Sequence, residues 1–119
     1  MRRTLIGLFW AALVFACVMA TLPRPPQLPG APSDKVQHIL AFTALTALAL
    51  GAYPRAPPLR IGLWLALVGG AIELVQMIPM LNRDGAWLDW AADCGAILVI
   101  LSLGVPLRRR LLRRVSPAP

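Results

Sequence analysis

Charge is scarce in this chain. Acidic and basic residues together make up 14% of it, hydrophobic residues make up 58%, and mean hydropathy is +0.68. A water-soluble domain of 119 residues cannot cover that much apolar material with so little polar surface, which excludes an ordinary globular fold. Cysteine occurs twice and histidine once. Cys17 and Cys94 form no C-x-x-C pair and lie inside apolar runs, so they read as small buried hydrophobes and not as a zinc finger or a disulfide framework. A net charge of +7 on a polar fold would point to nucleic acid. Here the basic residues sit between long apolar runs, so no nucleic-acid partner is expected. Neither Cys94 nor Ser33 has a paired base in view, so no nucleophile stands out. No internal repeat marks a duplicated transporter.

What the chain does have is long apolar stretches. Helices are expected at about 5–22, 36–53, 59–78 and 88–107, each near the roughly 20 residues that a hydrocarbon core of ~30 Å requires. The run from Pro23 to Pro32 is too rich in proline for helix or strand and reads as a stiff, extended connector. Pro54, Pro57 and Pro58 close the second span and open the third. The expectation is one all-α domain over residues 1–119, a bundle of four transmembrane helices. Arg2 and Arg3 before the first apolar run also sketch a signal peptide. The run is long for a signal core, and an uncleaved first helix is expected.

The basic residues set an orientation. With four spans, both termini and the middle connector share a side. That side collects Arg2, Arg3, Arg55, Arg60, Arg108, Arg109, Arg110, Arg113 and Arg114, while the other holds Arg24, Lys35 and Arg83. Lysine and arginine near helix ends favour the cytoplasm, so both termini are expected there. Trp87 and Trp90 would then mark the outer interface, with Tyr53 and Trp64 nearer the inner one.

The acids are distributed separately from that argument. Asp34, Glu73, Asp84, Asp89, Asp93 and the single His38 all fall on the outer side. Asp34 and His38 are four residues apart, as are Asp89 and Asp93, so each pair shares a helix face. Glu73 and Gln76 are three apart. Gly62, Ala66 and Gly70 make a small-residue stripe leading up to Glu73, which would let another helix come close. An ionised side chain inside a membrane costs at least ~2.5–3.5 kcal/mol on insertion scales, so it persists where it has a partner or a purpose. Local roles stay open beside that one: Asp34 as a helix cap or a partner for His38, Asp84 as a turn residue, Asp89 as a solvated group, and Lys35 and Arg83 as cations reaching the interface.

At these residues the chain resembles the VanZ-like family of small bacterial membrane proteins. Asp34-Lys35-Val36-Gln37-His38 with Phe42 is similar to that family's D-K-x-x-H-x-x-x-[FY], Glu73-Leu74-Val75-Gln76 to its E-x-x-Q, and Arg83, Asp89 and Asp93 to its R-x5-D-x3-[N/D]. The likeness covers about Asp34 to Ala96. It departs where Asp93 replaces a frequent asparagine, and where Ala96 replaces a glycine that Gly95 carries one place early. The resemblance implies a multi-pass protein of the bacterial cytoplasmic membrane with an envelope or antibiotic-tolerance role, since the namesake is associated with resistance to teicoplanin-type glycopeptides.

The resulting expectation is an outward-facing pocket built from Asp34, Lys35, His38, Glu73, Gln76, Arg83, Asp89 and Asp93. Besides membrane lipids, it would take a lipid-linked envelope precursor or a lipophilic glycopeptide. Arg83 and Lys35 would meet phosphate or carboxylate, and the acids and Gln76 would accept from hydroxyls and amines. An acid–base enzyme using His38, or a structural or ion-coupled bundle, are the alternatives; oligomerisation is left open. No cofactor and no metal are expected, because one histidine with carboxylates is a poor zinc set.

Overall fold

The computed structural model describes residues 1–22, 34–78 and 87–115. Those residues form four α-helices and no strand: α1 (Arg2–Thr21), α2 (Asp34–Ala52), α3 (Pro58–Gln76) and α4 (Trp87–Val115). All four are long and apolar enough to cross a membrane. The expected all-α architecture of four potential spans is therefore the observed one.

Local chemistry sets the helix ends. The Thr21 hydroxyl donates back to Cys17 O at 2.8 Å, Leu22 leaves in an extended conformation, and Pro23 follows, which cannot extend the ladder. Pro58 opens α3 at a position where a missing N–H costs nothing. At the far end of α3, the Met77 N–H turns back to the carbonyls of Glu73 and Leu74, and the Ile78 N–H to that of Val75. The fourth helix differs from expectation. It does not stop near Leu107 but continues through Pro106 to Val115, 29 residues or roughly 43 Å at 1.5 Å per residue. Arginine is a good helix former, and Arg113 and Arg114 in the last turn sit favourably against the negative end of the helix dipole.

The helices run alternately up and down. α2 is the hub, packing on α1 and α4 and more lightly on α3, while α3 leans chiefly on α4. Phe9 and Leu13 from α1, Phe42, Leu45 and Ala49 from α2, Ile61, Leu65 and Ile72 from α3, and Ile97 from α4 form the buried core. Gly62 permits close approach: a Cβ there would stand 2.9 Å from Leu101 Cδ1 on α4. The outward surface is apolar, with Val14, Phe15, Leu40, Leu63, Leu67, Leu98 and Leu103 all exposed. In water such a continuous surface would drive association; against lipid chains it carries no penalty.

The two ends of the bundle are chemically unlike. Where α2 stops, arginines reach backbone carbonyls of its last turn and of the turn that follows. The Arg2 Nε–H donates to Ala52 O at 3.4 Å, and the Arg108 guanidinium reaches Leu50 O, Tyr53 O and Ala56 O at 3.4–3.5 Å. The last carbonyls of a helix lack intrahelical donors, so these long, charge-assisted contacts fasten α1 and α4 to the end of α2. Nearby, the Trp10 indole donates to the Tyr53 hydroxyl at 2.7 Å, with Phe9 and Trp64 edge-on around them. The opposite end, where α1 and α3 stop and α2 and α4 begin, carries His38, Glu73, Asp89 and Asp93.

Candidate functional site

Three of the expected site residues converge there from three helices. His38 lies one turn into α2, Glu73 one turn before α3 ends, and Asp93 nearly two turns into α4. The His38 Nδ1 stands 3.4 Å from Glu73 Oε1 and 3.5 Å from Asp93 Oδ2. One donor atom from each residue lies within 4.8 Å of the others. The triad is interior: His38 is 8% exposed, Glu73 1% and Asp93 0%.

Each helix delivers its residue through its inward face. On α2, His38 shares that face with Phe42, Leu45 and Ala49. On α3 the buried positions are Ile61, Gly62, Leu65, Gly69, Ile72, Glu73 and Gln76, a run at helical spacing with Glu73 near its top. On α4 the buried pair is Asp93 and Ile97. Gly69 forms the floor of the site. A Cβ built on it would meet Asp93 Oδ2 at 3.2 Å and Phe42 Cζ at 3.3 Å. The carboxylate therefore occupies space that only a missing side chain leaves.

These contacts are longer than the 2.7–3.2 Å of an N–H···O hydrogen bond. Among the described residues, His38 Nδ1 and both Asp93 carboxylate oxygens have no hydrogen-bond partner. Buried polar groups are nearly always satisfied, so a fully buried carboxylate in this state is an exception that needs a cause. Electrostatics sharpens the point. Two carboxylates within 4.8 Å of each other would, if both ionised, repel by at least ~3.5 kcal/mol at an effective dielectric constant near 20. A positive partner relieves that repulsion: an imidazolium, a ligand ammonium or a metal cation.

The remaining candidates are placed differently. Gln76 is buried, and its amide N–H donates to Ala20 O at 2.8 Å, which ties α3 to the end of α1. Asp89 is half-buried in the first turn of α4, and Lys35 is exposed. Asp34 begins α2, but its side chain lies outside the described residues, as do Arg83, Asp84 and Ser33 altogether. His38 makes tertiary contacts with Glu73 and Asp93, and its expected pairing with Asp34 lies outside the described residues.

The expected small-residue stripe does admit a neighbouring helix: Gly62 faces Leu101 of α4, the Trp90 indole N–H donates to Ala66 O at 2.9 Å, and Gly70 leaves room for the ring. Ala66 and Gly70 thus sit at the edge of the α3–α4 seam, and the buried small residue beside the triad is Gly69. Sequence reasoning passed over Gly69, although its place four residues before Glu73 on one face was visible. No family model, curated protein or solved structure matches this chain, so the chemistry of the site is argued from its own residues.

Proposed function

We propose that this chain is a VanZ-like, multi-pass protein of the bacterial cytoplasmic membrane that recognises the polar head of an envelope molecule at the outer leaflet. The arginine-rich end then lies in the cytoplasm, in keeping with nine basic residues against three, and the triad end faces outward. One observation carries the reading: His38, Glu73 and Asp93, from three separate helices, meet within 4.8 Å and are withheld from the surroundings. Ionisable groups at this depth are expensive, and a merely structural bundle has no need of three together.

The acceptors suit a head group rich in donors. Lipid-linked cell-wall precursors, amine-bearing phospholipids and lipophilic glycopeptides all present ammonium or hydroxyl groups at that depth. Asp93 and His38 would meet the donors, with half-buried Asp89 and exposed Lys35 flanking the approach at the same end. A second reading, acid–base catalysis on a lipid-linked substrate, draws on the His38 Nδ1 placed between two carboxylates.

Complementation of a deletion strain tests both. Sensitivity to envelope-targeting compounds is scored with the wild type and with Glu73→Gln, Asp93→Asn and His38→Gln, each checked for membrane insertion. Loss of protection in inserted Glu73→Gln and Asp93→Asn supports the recognition reading. Full protection by both would refute it. Complete loss in inserted His38→Gln, with ligand still bound, would favour catalysis.

A further inference from the structure

We infer that His38, Glu73 and Asp93 form a divalent transition-metal site of the zinc type, with His38 Nδ1, Glu73 Oε1 and Asp93 Oδ2 as its ligand atoms. The expectation of no metal rested on one histidine with carboxylates being a poor zinc set. The fold adds what residue type alone could not show, three ligand atoms from three helices within 4.8 Å of one another.

Distances favour the zinc class. Zinc binds imidazole nitrogen at 2.0–2.1 Å and carboxylate oxygen at 2.0–2.2 Å, and neighbouring ligands on a tetrahedron of that size stand roughly 3.4 Å apart. The two separations from His38 Nδ1 are 3.4 and 3.5 Å, and all three ligand atoms lie within 4.8 Å of one another. Magnesium prefers an all-oxygen octahedron with shorter ligand separations, and calcium seldom takes imidazole, so the ligand set selects against both.

Burial and charge favour it as well. Asp93 is fully buried, aimed into the cluster, and both its oxygens are without a hydrogen-bond partner among the described residues. A coordinated cation would occupy the lone pairs that those oxygens leave unused. A neutral imidazole, two carboxylates and one divalent cation sum to zero charge, the state that a low-dielectric interior tolerates best. A protonated imidazole leaves the same cluster with a net negative charge. Three protein ligands also leave a fourth position for water or a ligand oxygen.

The inference deepens the head-group reading, with the ion's fourth position taking a head-group oxygen in place of direct contact with Asp93 and His38. The two fail separately, because metal content is measured on purified protein and head-group recognition on living cells. His38 is the only histidine, so tag-free protein offers a single imidazole. The protein is purified in detergent without a tag, equilibrated with micromolar Zn²⁺ and assayed for bound zinc, with X-ray absorption at the zinc edge. The expected result is one zinc per chain with one imidazole ligand, undisplaced by a tenfold excess of Mg²⁺ or Ca²⁺. Affinity should fall at least tenfold in each of His38→Gln, Glu73→Gln and Asp93→Asn, and stay unchanged in a Cys17→Ala/Cys94→Ala double variant. Absence of stoichiometric zinc in the wild type, an absorption spectrum lacking imidazole, or loss of zinc with the cysteines would each overturn the site. The wild-type spectrum decides the matter even if a variant fails to fold.

Discussion

A graded set of glycine-to-alanine substitutions tests the geometry of the site without touching a charged residue. Gly95 has nothing within 4 Å of a prospective Cβ, so alanine there gains helix propensity alone, about 1 kcal/mol. At Gly70 the added methyl would meet the Trp90 Nε1 at 3.4 Å, an ordinary contact, and part of the same gain should survive. Gly69 is different. Its Cβ would stand 3.2 Å from Asp93 Oδ2 and 3.3 Å from Phe42 Cζ, so both must retreat by a few tenths of an ångström. Overpacking of that kind costs about 1–3 kcal/mol, which cancels or exceeds the propensity gain. The expected order of thermal stability in detergent is Gly95→Ala, then Gly70→Ala, then Gly69→Ala, the last at or below wild type. Gly69→Ala should also impair complementation, because Asp93 is pushed away from its position beside His38. A Gly69→Ala protein as stable as Gly95→Ala and fully active would refute the packing argument.

Other substitutions probe the remaining contacts. Asp93→Asn removes one of two repelling carboxylates at nearly constant volume, so it should raise the melting temperature in metal-free detergent solution while abolishing protection in cells; a lowered melting temperature would contradict the repulsion argument. Gln76→Leu deletes the bond to Ala20 O and should destabilise by about 1 kcal/mol, with faster proteolysis between α1 and α2 as the readout. Arg108→Gln loosens three carbonyl contacts at 3.4–3.5 Å, and their length puts the cost at about 1–2 kcal/mol in a thermal melt. Trp90→Phe keeps the ring and loses the N–H to Ala66 O, for about 1 kcal/mol more.

The four helices were legible because each is written as an apolar run of membrane length with prolines at several of its limits. The end of α4 was not. Pro106 and the arginines after it look like a terminus, yet a proline removes only one ladder bond, and the Arg108 contacts with the end of α2 hold the helix on course. The candidate site was half legible. Depth within a span singled out Glu73 and Asp93, and periodicity put them on inward faces. The partner of His38 was not readable, because Asp34 competes for it at i−4 in the sequence whereas Glu73 and Asp93 reach it only through packing. The backbone partners of Gln76 and Trp90 were not readable for a related reason. A polar side chain near a helix end has a nearby backbone carbonyl available to it, and both side chains take one.

Everything above depends on His38 and Asp93 being direct neighbours in the folded protein. A double-mutant cycle with His38→Gln, Asp93→Asn and their combination, followed by thermal or chemical unfolding in detergent, measures that directly. Contacting residues couple by about 0.5–3 kcal/mol, and the placement of His38 Nδ1 at 3.5 Å from Asp93 Oδ2 predicts a value in that range. Additivity to within ~0.3–0.5 kcal/mol would mean that the two side chains do not meet, and would contradict the site.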